Sequence, residues 1–239
     1  MNSEIRERMF KLSELKFSRI ILALDNVESL NLLNDLLKYI VCVKIGLPLL
    51  ISIGASSMKN IIVKYKNDVV FIADLKMADI PETNENTAKI VKEIGFDAVI
   101  VHTFVGSESL KSVAKILPVF ALVGMSHKDA YLINSNTEVL INISASSGIF
   151  NFVAPATYPE IIKQLRSKIP KALIISPGVG AQGANFGSAL KAGADFEIIG
   201  RSITLSRNPL ENVQKILESQ RHILKEKPLD NNEITPNFS

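Results

Sequence analysis

The chain carries one cysteine, no tryptophan and three histidines, and aromatic residues make up only 6% of it. A lone thiol builds neither a disulfide framework nor a thiolate metal cluster. Cys42 lies in the apolar run Ile40-Val-Cys-Val43 and reads as a buried thiol of a reducing, cytoplasmic setting. His102, His127 and His222 lack the spacing of metal ligands. The central carboxylates are interleaved with lysines that repel a divalent cation, so no metal is expected. Charge of one sign is also scarce. The net charge is +3 and the 27 basic residues are dispersed, which excludes nucleic acid as the main partner and leaves room for a small anionic ligand. Long apolar runs are missing too. The first twenty residues carry Glu4, Arg6, Glu7, Arg8, Lys11, Glu14 and Lys16, so they read as an amphipathic helix and not as a signal peptide. The stretch 40–56 is interrupted by Lys44, Gly46, Pro48 and Gly54, and its runs are too short to span a bilayer; no membrane partner is expected.

What the chain does have is 239 residues with 47% apolar content, enough for one large core. Short runs rich in Ile, Val, Ala and Phe recur at even spacing, without the strict alternation of a half-exposed sheet, as strands buried on both faces require. They fall at 19–24, 41–45, 69–73, 98–102, 119–124, 149–154, 172–176 and 196–200. Helical segments lie between them at 29–39, 83–94, 108–117, 160–169 and 209–220. Gly95 and Gly193 suit helix ends, and Ser107 suits an N-cap. Repeated strand-then-helix units with no break in composition fit an open doubly wound sheet or a closed barrel, and eight of them in this length favour an α/β chain of the (β/α)8 (TIM) barrel type. The expected organisation is one catalytic domain over 1–225 and a loose polar tail over 226–239, which carries two prolines.

A barrel delivers the last residues of every strand to one face, where active sites are built. Here those residues are Asp25, Lys44, Asp74 with Lys76, His102, Ser126, Thr157 and two glycine-bearing turns. Asp74 and Lys76 stand two apart, so on a regular strand both point the same way. Burying such ions costs several kcal/mol each, on the order of the penalty for any unpaired charge, and chemistry is the usual reason a chain tolerates it. Lys44, Asp74, Lys76 and Asp79 are expected to converge as an alternating array, with His102 as a hydrogen-bonding spacer. A second constellation joins Ser176-Pro-Gly-Val-Gly-Ala-Gln-Gly183 to Gly200-Arg-Ser202. Turns after the seventh and eighth strands commonly bind phosphate, with glycines admitting the anion to the backbone and an arginine supplying a forked donor.

Together with Leu22-Ala-Leu-Asp25, Val43-Lys-Ile-Gly46 and Met125-Ser-His127, the segment Asp74-x-Lys76-x-x-Asp79-Ile-Pro-x-Thr83 resembles orotidine 5'-phosphate decarboxylase, in its short archaeal form, from about residue 19 to 209. The resemblance implies a cytoplasmic homodimer that turns orotidine 5'-monophosphate into uridine 5'-monophosphate and carbon dioxide with no cofactor. It implies that Lys76 is the proton donor within an array of Lys44, Asp74 and Lys76, completed by Asp79 from the other subunit. By the same resemblance Asp25, Lys44 and the partner-donated Thr83 hold ribose hydroxyls. Ser126 and Gln182 contact the pyrimidine, with Ile80, Pro177 and Val179 also at the substrate, and Gly180, Gln182, Gly200 and Arg201 take the phosphate. Two rival expectations remain. A sister enzyme on the same barrel acts on sugar phosphates through a magnesium-held enediolate, and is separated by metal dependence. A non-catalytic phosphate-binding barrel is disfavoured because all four charged members are present.

Overall fold

The computed structural model describes residues 2–226. Eight parallel strands close into a barrel in sequence order: β1 (Ile20–Leu24), β2 (Cys42–Gly46), β3 (Val70–Met77), β4 (Ala98–His102), β5 (Val119–Leu122), β6 (Asn151–Val153), β7 (Leu173–Ser176) and β8 (Phe196–Ile199). β8 pairs back onto β1 through Ile20↔Glu197 and Leu22↔Ile199. The strands are apolar on both faces because both faces are covered. Residues such as Leu22, Val43, Phe71 and Val99 pack outward against the helices. Ile21, Cys42, Ile72, Ile100, Phe120 and Ile198 belong to a separate cluster that fills the barrel. Cys42 is fully buried there, and burial pushes its thiol up.

α1 (Asn2–Lys16) plugs the bottom of the barrel, adding Ile5 and Met9 to the inner cluster. Arg8 fastens it: its guanidinium pairs with Asp97 and donates to the carbonyls of Lys66 and Val69. Asp97 in turn accepts the Phe71 N–H at 2.8 Å, so one carboxylate ties the plug to the strand it covers.

The crossovers are α2 (Leu33–Leu36), α3 (Leu47–Tyr65), α4 (Pro81–Ile94), α5 (Gly106–Ala114), α6 (Tyr131–Asn134), α7 (Thr137–Ser146), α8 (Pro159–Lys168), α9 (Ser188–Ala192) and α10 (Arg201–Thr204), followed by α11 (Pro209–Glu226). Three of these differ from the sequence reading. The helix expected over 29–39 is broken: 3-10 turns at Glu28–Leu32 and Leu37–Tyr39 flank the single α turn of α2. The region after β2 is helical despite Pro48 and Gly54. Pro48 sits in the first turn, where its missing N–H costs nothing, and Gly54 (φ 75°) divides α3 into two segments. By length and composition α3 is one helix of membrane-spanning character among the described residues, yet its Leu49, Met58, Ile62 and Tyr65 are buried in the protein. Ser107 is not an N-cap, because α5 already starts at Gly106 (φ 86°) and no side chain caps it. Gly95 and Gly193 do end α4 and α9 in the left-handed conformation. The tail expected over 226–239 lies outside the described residues, except that Glu226 is the last residue of α11.

Candidate active site

The inward positions of the strands run apolar from the bottom and change character at the top. On β1 the series Ile21, Ala23 leads to Asp25; on β2 Cys42 leads to Lys44; on β3 Val70, Ile72 lead to Asp74. Register sets Lys44 beside both Ala23 and Ile72, and Gly46 beside Asp74. A cavity of about 340 Å³ opens over them. Its floor and wall include Ile100, Leu122, Val153 and Ile198, and its rim carries Ser126, Pro177, Val179, Gln182, Gly200 and Arg201.

At the floor Lys44 Nζ lies 2.6 Å from Asp74 Oδ2, and Lys76 Nζ lies 2.7 Å from Asp74 Oδ1, so one carboxylate is shared by two ammoniums. Lys44 also lies 3.8 Å from Asp25. Side chains of Lys44 and Asp74 are only 8% exposed, whereas that of Lys76 is 40% exposed and reaches the open cavity. Burial alone pushes the Asp74 carboxyl up, but the charges and hydrogen bonds of Lys44 and Lys76 outweigh it and hold the group below the ordinary carboxylate range. Asp74 is therefore an anion at neutral pH. A Cβ at Gly46, beside it, would displace the Asp25 carboxylate.

Asp74 and Lys76 do not meet by the simple strand alternation that the sequence led us to expect. The β3–β4 register slips between Ala73 and Met77, where β4 advances only from Val99 to Val101, and Lys76 adopts φ 45°. A left-handed backbone at a lysine costs about 1–3 kcal/mol, and such strain collects where a site holds a side chain in a fixed place. The bulge turns the Lys76 ammonium back over Asp74. His102 stands at the top of β4 with its ring 4.8 Å from that of Phe104. Its Nδ1 is buried without a hydrogen-bond partner among the described residues. Burial first, and then the Lys76 charge, lower its pKa and keep the ring neutral.

Asp79 departs from the array within this chain. It is exposed, lies outside the cavity lining, and its carboxylate accepts the N–H of Ile80. Ile80 and Thr83 are likewise exposed, at the start of α4. Within one chain Lys44, Asp74 and Lys76 meet, and the chain turns outward after Met77, so the fourth expected member, Asp79, is not part of its own chain's cluster.

The rim is stitched together by short polar contacts. Ser126 Oγ lies 3.1 Å from Gln182 Oε1, and the N–H of Ala181 donates to Ser202 Oγ. Gly180 (φ 74°) leaves no room for a side chain against Ser202 and Phe186. Arg201 opens α10 at the cavity mouth, and no carboxylate pairs with it among the described residues. The loop 177–187 is rooted on Glu197, fully buried at the start of β8, which accepts the N–H groups of Gly187 and Ala189 and the Gln220 amide. Burial pushes the Glu197 carboxyl above its usual 4.5, against those hydrogen bonds. A raised pKa means the folded state binds the proton more tightly, so stability from this group is complete below pH 4.5 and is lost as pH rises through the folded value. Urea unfolding from pH 4.5 upward is expected to show wild type losing stability relative to Glu197→Gln; a pH-independent difference would contradict this.

The sequence missed Ile100, Leu122, Val153 and Ile198. Their inward facing is set by strand period, and nothing chemical marks them within apolar runs.

A closed parallel barrel with a shared-carboxylate lysine pair at its strand ends and a glycine–arginine rim is the architecture of a TIM-barrel enzyme. The chain belongs to the orotidine 5'-phosphate decarboxylase / HUMPS family, whose model matches residues 18–216. It is 40% identical over 204 residues to orotidine 5'-phosphate decarboxylase of Pyrococcus furiosus, covering 83% of this chain and 96% of that one. The Methanosarcina barkeri enzyme of the same name is 39% identical, with 84% and 94% covered. Among solved structures, orotidine 5'-monophosphate decarboxylase of Metallosphaera sedula superposes with a TM-score of 0.78 at 35% identity, covering 86% of this chain and 99% of that one. The Methanocaldococcus jannaschii enzyme complexed with inhibitor BMP matches equally, at 0.78 and 35%, with 85% and 98% covered.

Proposed function

We propose that this chain decarboxylates orotidine 5'-monophosphate to uridine 5'-monophosphate without a cofactor, using Lys76 as the proton donor. The observation that carries the reading is the buried Lys44–Asp74–Lys76 cluster beneath an apolar-walled cavity in a chain of this family. Loss of carbon dioxide leaves the electrons of the broken C–C bond on C6 of the pyrimidine, in an sp² orbital the ring does not delocalise. The barrier is correspondingly high, and the reduction required lies near the upper end of the ~8–23 kcal/mol that enzymes supply. An ammonium fixed beside C6 stabilises that charge as it develops and then delivers its proton to the same carbon. The strained, paired geometry of Lys76 suits this, because the charge is already placed before the bond breaks.

Asp74 beside the substrate carboxylate adds a repulsion that departing carbon dioxide relieves, worth about 4 kcal/mol at ~4 Å in an effective dielectric near 20. Ile100, Leu122, Val153 and Ile198 provide a wall that favours neutral carbon dioxide over the carboxylate it comes from. Asp25 and Lys44 stand where ribose hydroxyls reach the floor, Ser126 and Gln182 over the base, and Gly180, Gly200 and Arg201 at the phosphate. Pro177 and Val179 line the same rim. Asp74 is committed to two lysines, and the reaction as proposed needs no metal.

The active form in this reading is a homodimer in the cytoplasm, with Asp79, Ile80 and Thr83 crossing to the other subunit's site. Two features support it: Asp79 is exposed and unused by its own cavity, and apolar Leu47, Ile51, Ile80 and Phe104 are exposed in the segments that follow β2, β3 and β4. Lys76→Ala and Asp79→Ala subunits, each inactive alone, should regain part of the activity when mixed and allowed to exchange, because one heterodimer site is then intact. Verified exchange with no recovery would contradict the shared site.

A further inference from the structure

The loop that carries Ser126 is held by a residue with no contact to the charge array. Past β5, Val123 still donates its N–H to Val153, but the main chain then leaves the sheet at Gly124, where a Cβ would press on Pro155. Met125, the next residue, satisfies both its backbone groups on one side chain. Its N–H donates to Asn134 Oδ1 at 2.9 Å, and Asn134 Nδ2 donates to its carbonyl at 3.0 Å. A carboxamide that accepts and donates in this way substitutes for a neighbouring strand and fixes the peptide on either side of Met125. Ser126 follows directly, with its carbonyl accepting Thr157 Oγ1 at 3.0 Å and its hydroxyl on Gln182. Asn134 itself ends the single turn of α6, whose Tyr131 and Leu132 are largely exposed and contribute little anchoring.

We propose that Asn134 is a positioning residue for the substrate pocket, acting through the Met125 backbone to set Ser126 where it meets Gln182 and the pyrimidine. This rests on the reading in which Ser126 and Gln182 close over the base. Any displacement of Ser126 propagates to Gln182, and through it to the rim that carries the phosphate turn.

The test is a double-mutant cycle on kcat/KM for orotidine 5'-monophosphate, with thermal unfolding recorded for each variant. Asn134→Ala is expected to lose roughly tenfold to a hundredfold in kcat/KM, the scale of a small misplacement at a reacting site. In a Ser126→Ala or Gln182→Ala background the further loss should shrink to within about twofold, because the residue it acts through is gone. A merely structural role predicts the same loss in every background. Asn134→Asp, which keeps size and one acceptor but sets oxygen against the Met125 carbonyl, serves the same cycle if the alanine variant does not fold. An undiminished loss after Ser126→Ala, or no loss at all from Asn134→Ala, overturns the inference. Wild-type kcat/KM in both Ser126→Ala and Gln182→Ala overturns the pyrimidine reading, and this inference with it.

Discussion

Lys76→Ala is expected to lower turnover of orotidine 5'-monophosphate by at least ~10⁴-fold, while binding of uridine 5'-monophosphate changes little. The size follows from two losses at one atom: a proton donor is worth about 10²–10⁴, and a preplaced charge facing the developing carbanion adds about 10²–10³. Binding should survive because the product has neither the carboxylate nor the carbanion that Lys76 addresses, and because the proposed reading assigns the ribose to Asp25 and Lys44 and the phosphate to the rim. The fold should survive as well. Asp74 keeps Lys44 at 2.6 Å, so the buried carboxylate is not left unpaired, and alanine adopts the left-handed backbone at position 76 at a cost similar to lysine's. Rapid quench assays set against product titration separate the two effects. Turnover within about tenfold of wild type would remove Lys76 from the proposed role.

Arg201→Ala is expected to lower kcat/KM by roughly 10²–10³-fold, or about 3–4 kcal/mol at ~1.4 kcal/mol per factor of ten. Arg201 opens α10 at the mouth of the cavity, after Gly200, and has no carboxylate partner among the described residues to be left behind by its removal. In the proposed reading the guanidinium holds the phosphate far from C6, and that binding energy would be spent in the transition state, so kcat is expected to fall together with affinity. Arg201→Lys should recover only part of the loss, since an ammonium supplies charge without the fork. A change below about tenfold, or 1.4 kcal/mol, would move the phosphate away from Arg201.

These expectations were legible in the sequence where chemistry and strand period coincide. Asp25, Lys44 and Asp74 each follow an apolar strand run at an inward position, and the structure places all three at the floor of one cavity. The eight runs also gave the barrel, because strands buried on both faces leave an unalternating apolar signature. What could not be read was set by tertiary context. The bulge before Met77 has no glycine, proline or asparagine to announce it, only a lysine in a conformation that its neighbours enforce. Asp79, expected to come from the other subunit, lies exposed and outside its own cavity, and neither its neighbours in sequence nor strand period fixes where it goes. The helix at Leu47–Tyr65 was hidden by Pro48 and Gly54, which punctuate it without ending it. Asn134 was not singled out in the sequence, since a side chain that pairs with a backbone nine residues earlier has no local signature.

The central claim is that this chain's charged cluster alone removes carbon dioxide from an orotidine nucleotide. The most direct measurement is the ultraviolet progress curve of the purified protein with orotidine 5'-monophosphate in excess EDTA, following loss of the orotate chromophore. Rapid, complete conversion to uridine 5'-monophosphate that EDTA does not slow is the predicted result. No conversion by folded protein, or conversion only after magnesium is restored, would contradict it.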